Sequence, residues 1–231
     1  MTRAPEGAAP ARRPEVVLFD VFETLLVLDP LRGRFEEVGR PGHELETFFA
    51  RTLRSGMAYT LAGQAPPFRA VAEAELAAMT RHTLSRAATA HILDGFAELP
   101  LQPDAEPAFD LLADAGVSAY AFTHGSATVL ETVLERHGIG HKLVRVLSAE
   151  QIGAFKPPRR VYTWACEQAG AAPEATALVA VHSWDTHGAL RAGLLAGLAT
   201  RHEGGVPDVV ERPHVVADRV DEVVAGLLAL G

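Results

Sequence analysis

The residues that most constrain this chain are Val16-Val17-Leu18-Phe19, an unbroken apolar run ending at Asp20. Such a short, continuous run reads as a strand buried on both faces, as in parallel sheets. Parallel neighbours need crossover connections, usually helical, and the remaining sequence supplies them. After Pro103, a helical pattern over 104–115 closes at Gly116, a common C-terminal stop. A strand pattern follows over 117–122, then a helix from near Ser126 to Gly138. Further apolar runs fall at 143–147, 178–181 and 215–217, and helical stretches at 159–169, 186–196 and 220–230. Alternation of this kind predicts an α/β fold, a Rossmann-like doubly wound parallel sheet with right-handed crossovers.

Between the first strand and this alternating part lies a block of different character. Leu45, Phe48, Phe49, Leu53, Met57 and Leu61 recur at helical spacing, as do Phe68, Val71, Ala72, Leu76 and Met79 after the Pro66-Pro67 break. Neither segment alternates like a strand. The expected division is therefore a leader at 1–14, a core formed by 15–29 and 101–231, and a helical cap at 30–100 inserted after the first strand. Phe48 and Phe49 read as the core of that cap.

Composition closes several other routes. Lys and Arg total 21 against 29 acidic residues, a net charge of −8 that disfavours nucleic acid and anionic membrane surfaces as partners. The single cysteine, Cys166, excludes an internal disulfide framework and a cysteine zinc site, and its helical setting reads as a buried, inert thiol. No apolar run approaches the roughly 18–20 residues of a membrane span. The leader carries arginines but no apolar h-region, so a cytoplasmic setting is expected.

Four polar clusters follow strand-like runs: Asp20 to Thr24, Thr123 to Ser126, Lys156-Pro157 and His182 to Asp185. Parallel strand ends converge on one edge, where open α/β sheets bind ligands. Two carboxylates, a lysine and a hydroxyl at a helix start form a coherent set for covalent catalysis. Gly125 and Gly188 read as places of close backbone approach.

The segments FDVFETL, FTHGS, FKPPRRVY and HSWDTHGA resemble, in order and spacing, the four motifs of the haloacid dehalogenase superfamily. Their detail is similar to the (S)-2-haloacid dehalogenase branch. Superfamily phosphatases carry a second aspartate two residues after the nucleophile, where this chain has Phe22. They also hold magnesium with extra acids where this chain has Ser183 and Trp184. The resemblance thus implies a metal-independent hydrolase, with no cofactor and no metal, acting on a small 2-halocarboxylic acid. Asp20 would be the nucleophile and Lys156 would keep it ionised. Asp185 would balance Lys156 and position or deprotonate water, and Thr24 would complete the catalytic set. Thr123 and Ser126, at a helix N-terminus suited to anions, would hold the substrate with His124, Tyr162, His182 and Phe22. The branch also implies a homodimer. The alternatives are a related hydrolase of another small carboxylate or a phosphate ester, and a catalytically weak homologue that binds a metabolite or partner protein.

Three departures from the branch stand out. Glu23 replaces a glycine; its side chain is expected to face solvent, the alternative being that it brings a new acid near the site. His124 and His182 stand in place of asparagines, so two groups that titrate near neutrality replace two that do not. A further pairing of His182 with His187 around a metal matches no recognised ligand spacing. The arginine that the branch holds over the halide has no certain counterpart in FFARTLRSG, where Arg51 and Arg54 are the candidates.

Overall fold

A computed structural model describes residues 12–231, so the segment read as a leader lies outside the described residues up to position 11. Six strands form one sheet: β1 (Val16–Phe19), β2 (Ser118–Thr123), β3 (Arg145–Ser148), β4 (Thr176–Ala180), β5 (Leu195–Ala199) and β6 (Val215–Ala217). Every pairing is parallel and the order is β3-β2-β1-β4-β5-β6.

The two faces of β1 feed two separate cores, as strand alternation requires. Val17 and Phe19 join the larger core, which includes Phe109 and Val223. Val16 and Leu18 join the other, with Tyr162 and Cys166. Cys166 is a buried free thiol whose pKa burial raises, consistent with an inert residue. Because β1 sits between β2 and β4, the winding direction reverses beside it. The crevice at its carboxyl end is therefore the fold's natural binding position.

Four helices follow β1 before the chain returns to the sheet through α5 (Ala105–Asp114): α1 (Leu31–Glu37), α2 (Glu44–Leu61), α3 (Phe68–Met79) and α4 (Arg86–Asp94). The stripe on α2 buries Leu45, Phe48, Phe49 and Leu53, but Leu61 in its last turn is exposed. At Gly56, a Cβ would lie 2.3 Å from the Phe155 ring, so this glycine lets the residue before Lys156 press against α2. Thr60 of α2 also accepts a 2.8 Å hydrogen bond from the Phe155 N–H. Five further helices pack on the sheet: α5 (Ala105–Asp114), α6 (Ala127–Arg136), α7 (Arg159–Ala169), α8 (Ser183–Ala192) and α9 (Val220–Leu228). No helix among the described residues is long and apolar enough to cross a membrane.

Among the secondary-structure elements, the structure corrects one expectation. The helical stretch expected over 186–196 is two elements, α8 ending at Gly193 in left-handed conformation (φ 96°) and then β5. The β5 sequence Leu-Ala-Gly-Leu-Ala lacks the β-branched and aromatic residues that mark strands. Its strand state comes from pairing with β4 and β6 and from burial. Gly197 is required there, because a Cβ would lie 2.2 Å from Cγ1 of Val223 on α9. Gly197→Ala is accordingly expected to lower stability by about 1–3 kcal/mol through overpacking. Chemical denaturation measures this, with Val223→Ala recovering part of the loss in the double variant. An unchanged midpoint in Gly197→Ala would contradict the packing described.

Candidate active site

The carboxyl edge of the sheet collects the polar clusters from four loops. Asp20 directly follows β1 and is 4% exposed, while Lys156, Thr24 and Asp185 are fully buried. Lys156 Nζ donates to Asp20 Oδ1 at 2.8 Å and to Asp185 Oδ2 at 2.6 Å. Thr24 Oγ1 donates to Asp20 Oδ2 at 2.7 Å and accepts from the Val181 N–H at 3.1 Å, tying the β1 loop to the end of β4. Tyr162 donates to Asp185 Oδ1 at 2.5 Å. Gly188 makes this approach possible, since a Cβ there would stand 2.5 Å from the Tyr162 hydroxyl.

One ammonium thus bridges two buried carboxylates, which drives the two acids apart. Burial opposes ionisation of Asp20, but Lys156 and His182 outweigh it and hold its pKa far below the usual carboxylate range. Burial raises Asp185, and the neighbouring Asp20 charge adds to the rise. Lys156 is raised despite its burial, because Asp185 and Asp20 favour its charge. Burial pushes the Tyr162 hydroxyl well above its ordinary value, so it remains a donor.

The two histidines differ sharply. His124 is buried with no hydrogen-bond partner on either ring nitrogen, and its ring stacks on Phe155 with centroids 4.9 Å apart. Burial, and then the charge of Lys156, lower its pKa to about 3, so it is neutral. His182 points Nδ1 at Asp20 Oδ2, 3.6 Å away, and pairs Nε2 with Glu23 Oε2 at 2.8 Å. Burial disfavours its charge, but Asp20 and Glu23 override burial and raise its pKa to about 10.

Glu23 therefore turns inward, contrary to the expectation that it faces solvent. Its backbone has φ 65°, a conformation that suits the glycine it replaces and swings the side chain toward His182. His202, in the loop after β5, lies 3.7 Å from Glu23 Oε1. That loop was not legible as part of the site, because β5 itself was not. Arg201 within it donates to the carbonyl oxygens of Glu23 and Thr24 at 3.2 and 2.5 Å and pairs with Asp104 at 2.6 Å. Glu203 accepts from the Ser183 N–H at 3.0 Å. The polar run Arg-His-Glu after an apolar stretch was the available signal.

Glu23, His182 and His202 bring one potential ligand atom each within 4.8 Å of one another. The contact between His182 and Glu23 is a 2.8 Å hydrogen bond. His202 stands 3.7 Å from the other Glu23 oxygen, beyond hydrogen-bond length. His187 is not part of the cluster, since its Nδ1 accepts from the Glu211 N–H at 3.0 Å.

Two cavities border this edge. One of about 290 Å³ is lined by Phe22, Phe68, Phe96, Thr123, Gly125 and Ser126. Within it Phe22 packs on Phe68 and Phe96 with centroids 5.3 and 5.2 Å apart. Thr123 accepts from the Gly125 N–H at 2.9 Å, and Ser126 precedes α6 without capping it through its side chain. The other, about 1010 Å³, runs between α2 and the edge formed by Glu23, His182, Trp184 at the start of α8, and His202. Asp20 lines neither cavity, though its chain neighbours border both. Arg51 and Arg54 are drawn to Glu75 on α3, at 2.7 and 3.6 Å, and Arg54 is two-thirds exposed.

A doubly wound sheet with this edge defines a class, and the chain belongs to it: the family model for haloacid dehalogenase-like hydrolases matches residues 14–193. It is 28% identical over 181 residues to (S)-2-haloacid dehalogenase 4A of Burkholderia cepacia, covering 76% of this chain and 78% of that one. It is also 31% identical over 139 residues to a glyceraldehyde 3-phosphate phosphatase of Methanopyrus kandleri, covering 55% of this chain and 60% of that one. The fold matches L-2-haloacid dehalogenase from Xanthobacter autotrophicus, solved with chloropropionic acid covalently bound. The TM-score is 0.85 at 18% identity, over 94% of this chain and 100% of that one.

Removing the bridging cation leaves two buried carboxylates facing each other. Lys156→Met is expected to cost about 3–5 kcal/mol at pH 7. The deficit should narrow as pH falls toward 4, because the variant's carboxyls, no longer held down, take up protons that wild-type Asp20 refuses in that window. Denaturation curves across this range measure it. A deficit independent of pH would contradict the electrostatic account.

Proposed function

We propose that this hydrolase acts on small 2-halocarboxylic acids, with Asp20 displacing halide to form an aspartyl ester that water then cleaves. The observation that carries the reading is the buried Lys156 bridge, which keeps Asp20 an anion beside a residue, Phe22, that cannot donate a proton. A carboxylate nucleophile must be ionised to attack carbon, and halide leaves as a stable anion without an acid. A phosphate ester would need protonation of its leaving alcohol, and the aromatic packing around Phe22 supplies no acid there. The (S)-2-haloacid dehalogenases among the relatives support the same reading, as does the fold relative that holds chloropropionic acid covalently.

The substrate carboxylate is assigned to the start of α6, where Ser126 and the first free N–H groups favour an anion. His124, neutral and unpartnered, offers an N–H to the departing halide, a role left open because Arg51 and Arg54 pair with Glu75. Residues 30–100 form the cap domain in this account, with 15–29 and 101–231 the core. Substrate reaches Asp20 when the two separate, since neither cavity touches that carboxylate.

The test is free halide released from (S)-2-chloro- and (S)-2-bromopropionate without added metal, with p-nitrophenyl phosphate plus magnesium as a parallel arm. Halide release is expected, falling at least about a thousandfold in Asp20→Asn. Absence of halide, or undiminished release from Asp20→Asn, would overturn the reading. Phosphate release in the parallel arm would move the chain to phosphoryl transfer.

A further inference from the structure

The smaller cavity, bordered by Phe22, has a volume of about 290 Å³. That is far more than the methyl substituent of a 2-halopropionate needs, whereas an apolar space of about 150 Å³ is enough to take a benzene ring. Resting on the Asp20-ester reading above, we propose that this cavity receives an aryl substituent, so that the preferred substrates are 2-halo-3-arylpropanoates.

Position is the first support. Thr123, Gly125 and Ser126, the loop to which the substrate carboxylate is assigned, border the cavity, as does Phe22, two residues from Asp20. In a 2-haloacid the carbon bearing the halogen also bears the carboxylate and the substituent. A carboxylate anchored at Ser126 therefore starts its substituent beside a space that Ser126 itself borders. The larger cavity lacks this relation. None of those three residues lines it, and Asp29, Arg32, Glu46 and Glu203 edge it with charge.

The walls select a flat, uncharged group. Phe22, Phe68 and Phe96 pack on one another with centroids 5.2 to 5.5 Å apart. Such a cluster offers ring faces and ring edges, on which a further ring packs by offset stacking or edge to face. From α6 come Val129, Leu130 and Val133, and Val129 is 41% exposed, an apolar side chain that an occupant would cover. The charged groups on the lining are already engaged. Arg69 pairs with Asp94 at 2.9 Å, and Glu150 accepts from the Phe68 N–H at 2.7 Å. Among the described residues lining the cavity, no cation is left for an anionic tail. Phe68, Phe96 and Ala97 belong to the cap and Phe22 and α6 to the core, so the substituent is enclosed when the two close.

The reaction itself is unchanged. An Asp20 oxygen bonds to C2 as the carbon–halogen bond breaks and halide leaves. Water then adds at Cγ, the ester splits to the 2-hydroxy-3-arylpropanoate, and one proton passes to solvent.

Halide release from (S)-2-chloro-3-phenylpropanoate and (S)-2-chloropropionate, measured side by side without added metal, tests the assignment. The phenyl compound is expected to show at least about tenfold higher kcat/KM, since even one methylene in an apolar pocket is worth about that factor. Ala97→Leu and Val129→Phe fill the cavity from the cap and from the core. Each should lower the phenyl-to-methyl ratio of kcat/KM at least about tenfold, with thermal unfolding checking that the variants fold. A ratio at or below one in wild type, or a ratio unmoved in both folded variants, would overturn the aryl pocket while leaving Asp20 as nucleophile. Halide from neither substrate would instead remove the Asp20 reading and the pocket with it.

Discussion

A single buried ammonium shared by two carboxylates organises this protein's active edge. Burying Lys156 is tolerable only because Asp20 and Asp185 both bond it, and burying those acids is tolerable only because Lys156 lies between them. The arrangement needs three loops delivered to one point. A parallel sheet with β1 between β2 and β4 delivers them, because its strand ends share an edge. The packing around the triad serves the same end. Gly188 lets Tyr162 reach Asp185, and Gly56 lets the Phe155 ring press on α2.

The asymmetry of the pair carries the chemical consequence. Two identical acids around one cation would share its charge equally. Here Asp20 also has Thr24 and His182, whereas Asp185 has a tyrosine that donates without charge. Asp20 is consequently the stronger acid, anionic at any working pH and suited to attack carbon. Asp185, more deeply buried, is suited to holding the lysine.

Much of this was legible in the sequence because it depends on local order. The run Val16–Phe19, the helical spacing of α2 and α3, and the polar residues closing each strand are all short-range signals. β5 was not legible: Leu-Ala-Gly-Leu-Ala is strand only because β4 and β6 flank it. Missing β5 hid the Arg201-His202-Glu203 loop. Glu23 was misread for a related reason. A side chain at φ 65° points where the backbone turns it, and nothing local indicates that a histidine 159 residues away will receive it. Arg51 and Arg54 likewise depended on Glu75, a partner on another helix.

The central claim is that the nucleophile is the Asp20 carboxylate and not a water acting directly on substrate. Multiple turnovers of (S)-2-haloacid in ¹⁸O-labelled water, followed by mass spectrometry of the peptide containing Asp20, decide between them. The account predicts ¹⁸O in the Asp20 carboxylate, because water cleaves the ester at Cγ and leaves its oxygen on the enzyme. Label found only in the product hydroxyl, with Asp20 unlabelled after many turnovers, would contradict it.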